Sequence, residues 1–274
     1  MQGIYLFWFL LLFSLLSAKS SLKNIPWIVY GLLLLIEFIV LFFLPLNESQ
    51  RYVGTLGEPN ALAAFIIFLW PFAFYAIKKF TIREKIGSSL ILVIVVAILF
   101  LTASRSAAIA FALQILFISL TKYRFSLAKS VLVCVILYMI SYAFPFFEHV
   151  PYENRGEVWK SALAAGSTHP LLGYGFGNTE TALHATAVRL GLPIQYYYVD
   201  SAHNIFLDWW VQGGVIGVTL LLTLIYFTIN EFIKHNKKRE IVLLIGMITT
   251  LSFNPASVVG LFGFWWIIGQ GLKK

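Results

Sequence analysis

Apolar residues run along this chain in long continuous stretches, not in alternation with polar ones. They cover about 3–18, 25–44, 60–77, 86–102, 104–120, 127–144 and 205–229, and a last stretch spans 241–270 with Asn254-Pro255 inside it. A bilayer core takes about 20 helical residues, so each of the first seven stretches predicts one membrane-spanning helix. Continuous runs argue against a transmembrane barrel, whose strands alternate lipid-facing and lumen-facing residues. The last stretch is long for one span, and Pro255 breaks the backbone hydrogen-bond ladder. Two short helices, 241–253 and 256–270, joined at the membrane face, are predicted; one long kinked helix is the alternative. The sum is an all-α, polytopic transmembrane helical bundle of about nine spans, a single integral membrane domain over 1–274.

The polar residues between the spans are shared unequally. One set of loops holds Lys19 and Lys23; Lys78, Lys79, Arg83 and Lys85; Lys122, Arg124 and Lys129; Lys234, Lys237, Lys238 and Arg239; and Lys273 with Lys274. These are 15 of the 20 basic residues, and with their acids they carry a net +12. The other set, which includes Arg51, Arg105, Arg155, Lys160 and Arg189, carries a net −3. Basic residues collect on the cytoplasmic side, so the first set faces inward, with the N-terminus outside and the C-terminus inside. The first run has its lysines after it and none before it, the charge order of a span and not of a signal peptide. The formal charge of +8 is therefore topological and does not imply nucleic acid. Only 12% of residues are charged, half the usual share of a soluble domain, which excludes a water-soluble globule. Cys134 is the one cysteine, so no intramolecular disulfide and no thiolate metal cluster can form.

One loop on the outer side, 145–204 between spans six and seven, is much longer than the rest. Long loops in compact proteins are functional or disordered, and this one is rich in aromatic and small apolar residues. R-G-E-V-W-K-S-A-L-A-A at 155–165 suits a short amphipathic helix ended by Gly166. Asn178 can cap a second, running to about Leu190, with Gly191 and Pro193 as stop signals. The glycines of H-P-L-L-G-Y-G-F-G-N, 169–178, mark turns or close backbone approach. A helical lid on the outer membrane face is predicted.

Four segments stand out, and the charge rule puts all four outside. They are G-T-L-G-E-P-N-A at 54–61, T-A-S-R-S at 102–106, R-G-E-V-W with H-P-L-L-G-Y-G-F-G-N within 155–178, and S-A-H-N with Q-G-G-V-I-G within 201–217. In this order and spacing they resemble the O-antigen ligase/polymerase family, over roughly 50–270. The resemblance implies a metal-independent, inverting membrane glycosyltransferase without a cofactor. Its donor would be a glycan on undecaprenyl diphosphate, its acceptor a hydroxyl of a glycan, lipid or protein, and its active site the extracytoplasmic face of the inner (plasma) membrane. Two arginines and a histidine form the family's functional core; by motif they are Arg105, Arg155 and His203. Typical members have about twelve helices, and the three that nine spans lack correspond to the first three. Glu58 stands where the family pattern has a neutral amide.

Each candidate has a plainer reading beside it. Arg105 follows an apolar run, where a charge is costly unless it is paired or faces a cavity; the plainer reading is a snorkelling arginine. Arg155 starts a helix, where the macrodipole disfavours a cation; Glu153, Glu157 or a phosphate can compensate. A guanidinium fork fits a diphosphate bidentately. His203 lies beside a span, and an ordinary imidazole, with pKa near ~6.5, suits proton abstraction from a sugar hydroxyl; its alternative is a structural histidine. Asp200 can orient that imidazole or cap span seven, and Asn204 adjoins it. Asn60 and Glu58 can touch the acceptor or cap span three. Glu37, inside span two, is a functional suspect by position or is bonded to a neighbouring helix. His169, before Pro170 in a turn, reads as a solvated cap; Lys160 and Arg189 read as solvated, or as assisting a polyanionic substrate. No D-x-D pair, His/Cys cluster or Gly-rich nucleotide loop appears, so no metal and no cytoplasmic sugar nucleotide is expected. A transporter of the same lipids, or a non-catalytic partner in an envelope-polysaccharide complex, is the rival reading; a transporter predicts internal repeats and broken helices at the midplane.

Overall fold

The computed structural model describes residues 27–44, 51–76, 82–123, 155–192 and 200–272. The predicted first and sixth spans, and 145–154 and 193–199 of the long loop, lie outside the described residues. Every element among the described residues is helical, in keeping with the all-α expectation. The helices are α1 (Trp27–Val40), α2 (Pro59–Ala76), α3 (Ile82–Thr102), α4 (Arg105–Ile118), α5 (Arg155–Thr168), α6 (Thr179–Leu190), α7 (Ile205–Lys234), α8 (Lys238–Phe253) and α9 (Val258–Gly271). A 3-10 turn, Gly54–Leu56, precedes α2, and a π-helical turn, Ser119–Tyr123, extends α4.

The apolar runs that predict spans become α1 to α4 and α7 to α9. Of the described helices α7 alone is both long and apolar enough to cross a bilayer; the shorter apolar ones are Val29–Val40, Pro59–Tyr75, Ser89–Thr102, Arg105–Thr121 and Val258–Gly271. Asn254-Pro255 separates α8 from α9, as two helices and not one kinked rod. Ser257 caps α9 by accepting from the Gly260 N–H at 3.1 Å.

These seven helices pack around α2, which touches α1, α3, α4, α8 and α9. Its Trp70 and Phe72 are fully enclosed, with Phe111, Met247 and Phe264 in the same core. The opposite faces of the helices leave Leu32, Ile36, Val93, Leu220 and Phe227 exposed, the arrangement of a bundle whose outer solvent is as apolar as its core. A buried amide side chain bridges three of its helices. Gln114 of α4 accepts from Trp70 Nε1 at 2.7 Å and donates to the carbonyls of Val242 (2.9 Å) and Ile67 (3.2 Å). Glu37, the polar group the sequence shows in span two, lies one turn before the end of α1. Its carboxylate accepts from the Thr55 N–H at 3.2 Å and from the Thr55 hydroxyl, so it holds the 3-10 turn.

α5 and α6 form a second, smaller layer against the start of α7. This layer has its own core of Val158, Ala162, Ala165, Ala182, Leu183, Ala202 and Val211. The predicted end of α5 at Gly166 is wrong: the helix runs on to Thr168. Gly166 is there because the Trp210 indole lies against it, within 2.1 Å of where a Cβ would stand. α6 begins and ends as predicted, with Gly191 left-handed at its C-cap. Asn178 is at the N-cap position, but its side chain turns away and donates to the Tyr174 carbonyl at 2.8 Å.

α7 is not one continuous rod. Its 30 residues would span about 45 Å at 1.5 Å each, more than a bilayer core of about 30 Å. Gly214, at φ 59 and ψ −154, breaks the helix, leaving 215–234 as a bilayer-length segment. The broken ladder is repaired by the 169–175 segment. Tyr174 and Gly175 N–H groups donate to the carbonyls of Val211 (2.8 Å) and Gln212 (2.9 Å), while Val215 and Ile216 N–H groups donate to those of Pro170 (2.8 Å) and Leu171 (3.3 Å). The turns or close backbone approach expected of the glycines are found here: Gly173, Gly175 and Gly177 all have positive φ, and a Cβ at Gly173 would stand 2.5 Å from the Val211 carbonyl oxygen.

Candidate functional site

Four helix ends meet at one end of the bundle: the starts of α2, α4 and α7 and the end of α8. The basic residues Lys237 and Lys238 lie at the other end, donating to the carbonyls of Gln270 and Thr121 (3.3 Å each). Cations suit those positions because helix C-terminal carbonyls carry partial negative charge. Among the described residues, Lys237 and Lys238 thus lie at the end opposite the T-A-S-R-S and S-A-H-N segments, while Lys160 lies on α5.

The first meeting point is the T-A-S-R-S segment. α3 ends at Thr102, Ala103 takes a left-handed φ of 50, and α4 starts at Arg105. The turn aims Arg105 outward, exposed, between two buried serines. The Ser104 and Ser106 hydroxyls share a hydrogen bond at 3.2 Å, and Ser106 accepts from Asn254 Nδ2. Asn254 belongs to the break between α8 and α9. The preceding residue, Phe253, offers its carbonyl to Arg155 Nη1. The compensation that Arg155 needs at the start of α5 therefore includes the carbonyl end of another helix, a partner the sequence does not reveal.

From Arg155 the connection continues along α5. Trp159, one turn later, stacks near Phe253 (6.4 Å between rings) and donates from Nε1 to the Ala202 carbonyl at 3.0 Å. His203 follows, buried, at a left-handed φ of 53, with its N–H on Ser201 Oγ at 2.9 Å. Asn204 is the N-cap of α7: its Oδ1 accepts from Phe206 N (2.9 Å) and Leu207 N (3.2 Å). That takes the capping role which Asp200 could have filled; Asp200 is exposed. One chain of contacts thus runs from Ser106 through Asn254, Phe253, Arg155 and Trp159 to Ala202, and Arg105 and His203 join it as the chain neighbours of its two ends.

Asn60 and Glu58 sit at the start of α2. Glu58 caps that helix, accepting from the Asn60 N–H at 2.9 Å and the Ala61 N–H at 2.5 Å. This fits the plainer of the two readings. Asn60 Oδ1 accepts from Arg51 Nη2 at 2.9 Å, and Arg51 Nε donates to the Thr102 carbonyl at 2.8 Å. Arg51 ties the first two segments together. Burial lowers its pKa from the ordinary arginine value, against the raising effect of Glu58, and the charge of Arg155 adds to the lowering.

Sequence reasoning passed over Arg51 and Asp208. Arg51 adjoins G-T-L-G without being part of any recognisable pattern. Asp208 carried a signal, an acid in the first turn of an apolar span, and its Oδ1 accepts from the Ala202 N–H at 2.7 Å. Among the described residues, no three His, Cys, Asp or Glu side chains come together as a metal-binding group.

A family model described as O-antigen ligase matches residues 90–222, from within α3 to within α7, and so takes in Arg105, Arg155 and His203. The chain is 22% identical over 225 residues to the ComP-specific O-oligosaccharyltransferase of Acinetobacter baylyi, covering 76% of this chain and 41% of that protein. It is 26% identical over 102 residues to an uncharacterized protein of Haemophilus influenzae, covering 36% of this chain and 26% of that one. The chain therefore spans less than half the length of these curated relatives. On the domain match and the transferase relative together, the chain is similar to the O-antigen ligase family, a family of membrane proteins, over just under half of its length.

Proposed function

We propose that this protein is a membrane glycosyltransferase that moves a glycan from undecaprenyl diphosphate to an acceptor hydroxyl at the outer face of the inner membrane. The observation that carries the reading is the chain of contacts joining Arg105, Arg155 and His203 across three helix ends and the outer layer. The O-antigen ligase match and the O-oligosaccharyltransferase relative support the same class of reaction.

In this reading the lipid tail of the donor lies along the apolar flank of the bundle. Arg105 and Arg155 hold the diphosphate through planar N–H forks. His203 takes the proton from the acceptor hydroxyl. The acceptor oxygen forms its bond to the anomeric carbon from the face opposite the diphosphate. The bond from that carbon to the diphosphate oxygen breaks, and polyprenyl diphosphate leaves with the electron pair. The product is inverted at the anomeric carbon. The arginines offset the charge that grows on the leaving group, so no metal ion and no strong general acid is needed. The outer layer of α5 and α6 acts as the lid that positions both substrates. The acceptor is a glycan, lipid or protein hydroxyl. Asn60, Asn204 and Asp200 line its approach, and Glu58 sets the start of α2 beside it.

Purified protein, a lipid-diphosphate-linked glycan and an acceptor test this directly. His203→Ala is expected to lose about 100- to 10,000-fold in transfer while still retaining donor, and His203→Gln, which cannot take the proton, is expected not to rescue. Near-wild-type turnover by His203→Gln at matched abundance would refute the base assignment. A lipid transporter predicts instead movement of intact donor with no transfer product.

A further inference from the structure

The residue before His203 is held by both of its backbone polar groups. Its N–H goes to Asp208 Oδ1 at 2.7 Å and its carbonyl to Trp159 Nε1 at 3.0 Å. The two partners come from different layers: Asp208 from the first turn of α7, and Trp159 from α5, one turn after Arg155. His203 itself is left-handed at φ 53. A residue with a Cβ keeps such a backbone only where its surroundings impose it. Here they do so from three directions, because Ser201 Oγ also accepts from the His203 N–H at 2.9 Å. Ser201, Ala202, His203 and Asp208 are all buried, so water does not compete for these bonds. The direction of the His203 Cα–Cβ bond is thus set by side chains that are neither part of the turn's own backbone nor in the family's arginine–histidine core.

Asp208 needs such a role to account for its place. A buried carboxylate carries a desolvation penalty that a neutral or apolar residue would avoid. In the first turn of α7 it meets a favourable helix dipole, but Asn204 already caps that helix. What Asp208 adds is a grip on the turn before His203, through the Ala202 N–H and the Ser201 side chain.

We propose that Asp208 is a positioning residue that acts through His203, with Trp159 as its counterpart on the other side of the same residue, Ala202. Neither touches substrate. Asp208 fixes the turn against α7, and Trp159 fixes it against the helix that carries Arg155, so the imidazole and the diphosphate grip keep one mutual geometry. The proposal rests on the reading of His203 as the base.

A double-mutant cycle tests it with purified protein, a short-chain polyprenyl-diphosphate-linked glycan as donor, and turnover and donor KM as readouts at matched abundance. Asp208→Ala is expected to lower turnover about 10- to 100-fold, the loss typical of a catalytic group displaced by about 1 Å, with donor KM within about twofold. In the His203→Ala background the same change is expected to alter the residual rate less than about twofold, because residues acting as one unit are not additive. Asp208→Asn keeps the Oδ1 acceptor and is expected to recover most of the turnover. Trp159→Phe, which keeps the ring and removes the N–H, is expected to repeat the Asp208→Ala pattern and decides the matter if Asp208→Ala does not fold. Equal losses with and without His203, or a loss expressed in donor KM, would overturn the positioning role while leaving His203 as base. Wild-type turnover by His203→Ala would overturn both.

Discussion

Adjacent glycines in α7 provide a controlled test of how the outer hairpin is seated. At Gly214 a Cβ would stand 2.6 Å from the Leu171 carbon, the Leu171 oxygen and the Pro170 oxygen, and its φ is +59. At Gly213 a Cβ would meet nothing within 4 Å. Gly214→Ala carries two penalties. Its φ and ψ of 59 and −154 lie next to a region that is essentially glycine-only, worth about 1–3 kcal/mol of strain. The atoms it strikes are backbone, so the hairpin must retreat. That retreat breaks the bonds from Val215 and Ile216 N–H to Pro170 and Leu171, each worth about 1 kcal/mol net. The sum is about 3–5 kcal/mol, at the severe end for a single substitution. Gly213→Ala, by contrast, gains up to about 1 kcal/mol by restricting the unfolded chain. Thermal melts of the two variants in detergent measure the difference. At about 2–4 °C per kcal/mol for a chain of this size, Gly214→Ala is expected to melt roughly 6–20 °C below wild type and Gly213→Ala at or above it. Limited proteolysis is expected to open the 169–175 segment only in Gly214→Ala. Melting points for the two variants within about 2 °C of each other would refute the seating described here.

Three further outcomes follow from the site. Arg155→Lys keeps the charge but not the fork that lets one nitrogen stay on the Phe253 carbonyl while others meet phosphate; transfer is expected to fall at least tenfold, or about 1.4 kcal/mol, whereas Lys160→Ala, on an exposed position of the same helix, is expected to change it little. Transfer is expected to persist in excess EDTA; complete loss restored by magnesium or manganese would point to carboxylate ligands in place of the arginine mechanism. Single cysteines at Thr186 and Lys237 in a Cys134→Ser background are expected to react with an impermeant reagent on whole cells at 186 alone; labelling at 237 without 186 would reverse the topology.

What the sequence reveals of this fold is whatever depends on runs and on punctuation. Apolar stretches foretell the bundle helices because lipid-facing helices need no polar stripe, and Asn254-Pro255 foretells the break before α9 because proline cannot continue the ladder. The same logic fails at Gly166. A glycine near the end of a helical pattern reads as a stop, yet this one is explained by an indole from a residue 44 positions away. The break at Gly214 is hidden for a related reason: only a hairpin from another part of the chain can satisfy the groups it frees. At the site, Arg105, Arg155 and His203 were visible as cations and an imidazole in unusual places. Their connection was not, because it passes through backbone carbonyls at Phe253 and Ala202, which carry no sequence signal. Arg51 stayed invisible for the same reason, since one of its partners is the Thr102 carbonyl.

Gln114 fixes a height as well as a contact. It lies nine residues below Arg105 on α4, about 14 Å at 1.5 Å per residue. Its partner Val242 lies eleven residues below Phe253 on α8, and Ile67 and Trp70 lie eight and eleven residues below Pro59 on α2. Three helices are therefore pinned at one level, about 12–17 Å along each helix from the end that carries the site, in a core where an unpaired polar group is costly. Sliding any of the three by a turn would strand an amide, a carbonyl or an indole N–H without a partner. The longitudinal register of the bundle is thereby discrete, and the outer ends that carry Arg105, Asn60 and the Arg155 acceptor inherit it like marks on rulers clamped at a common zero.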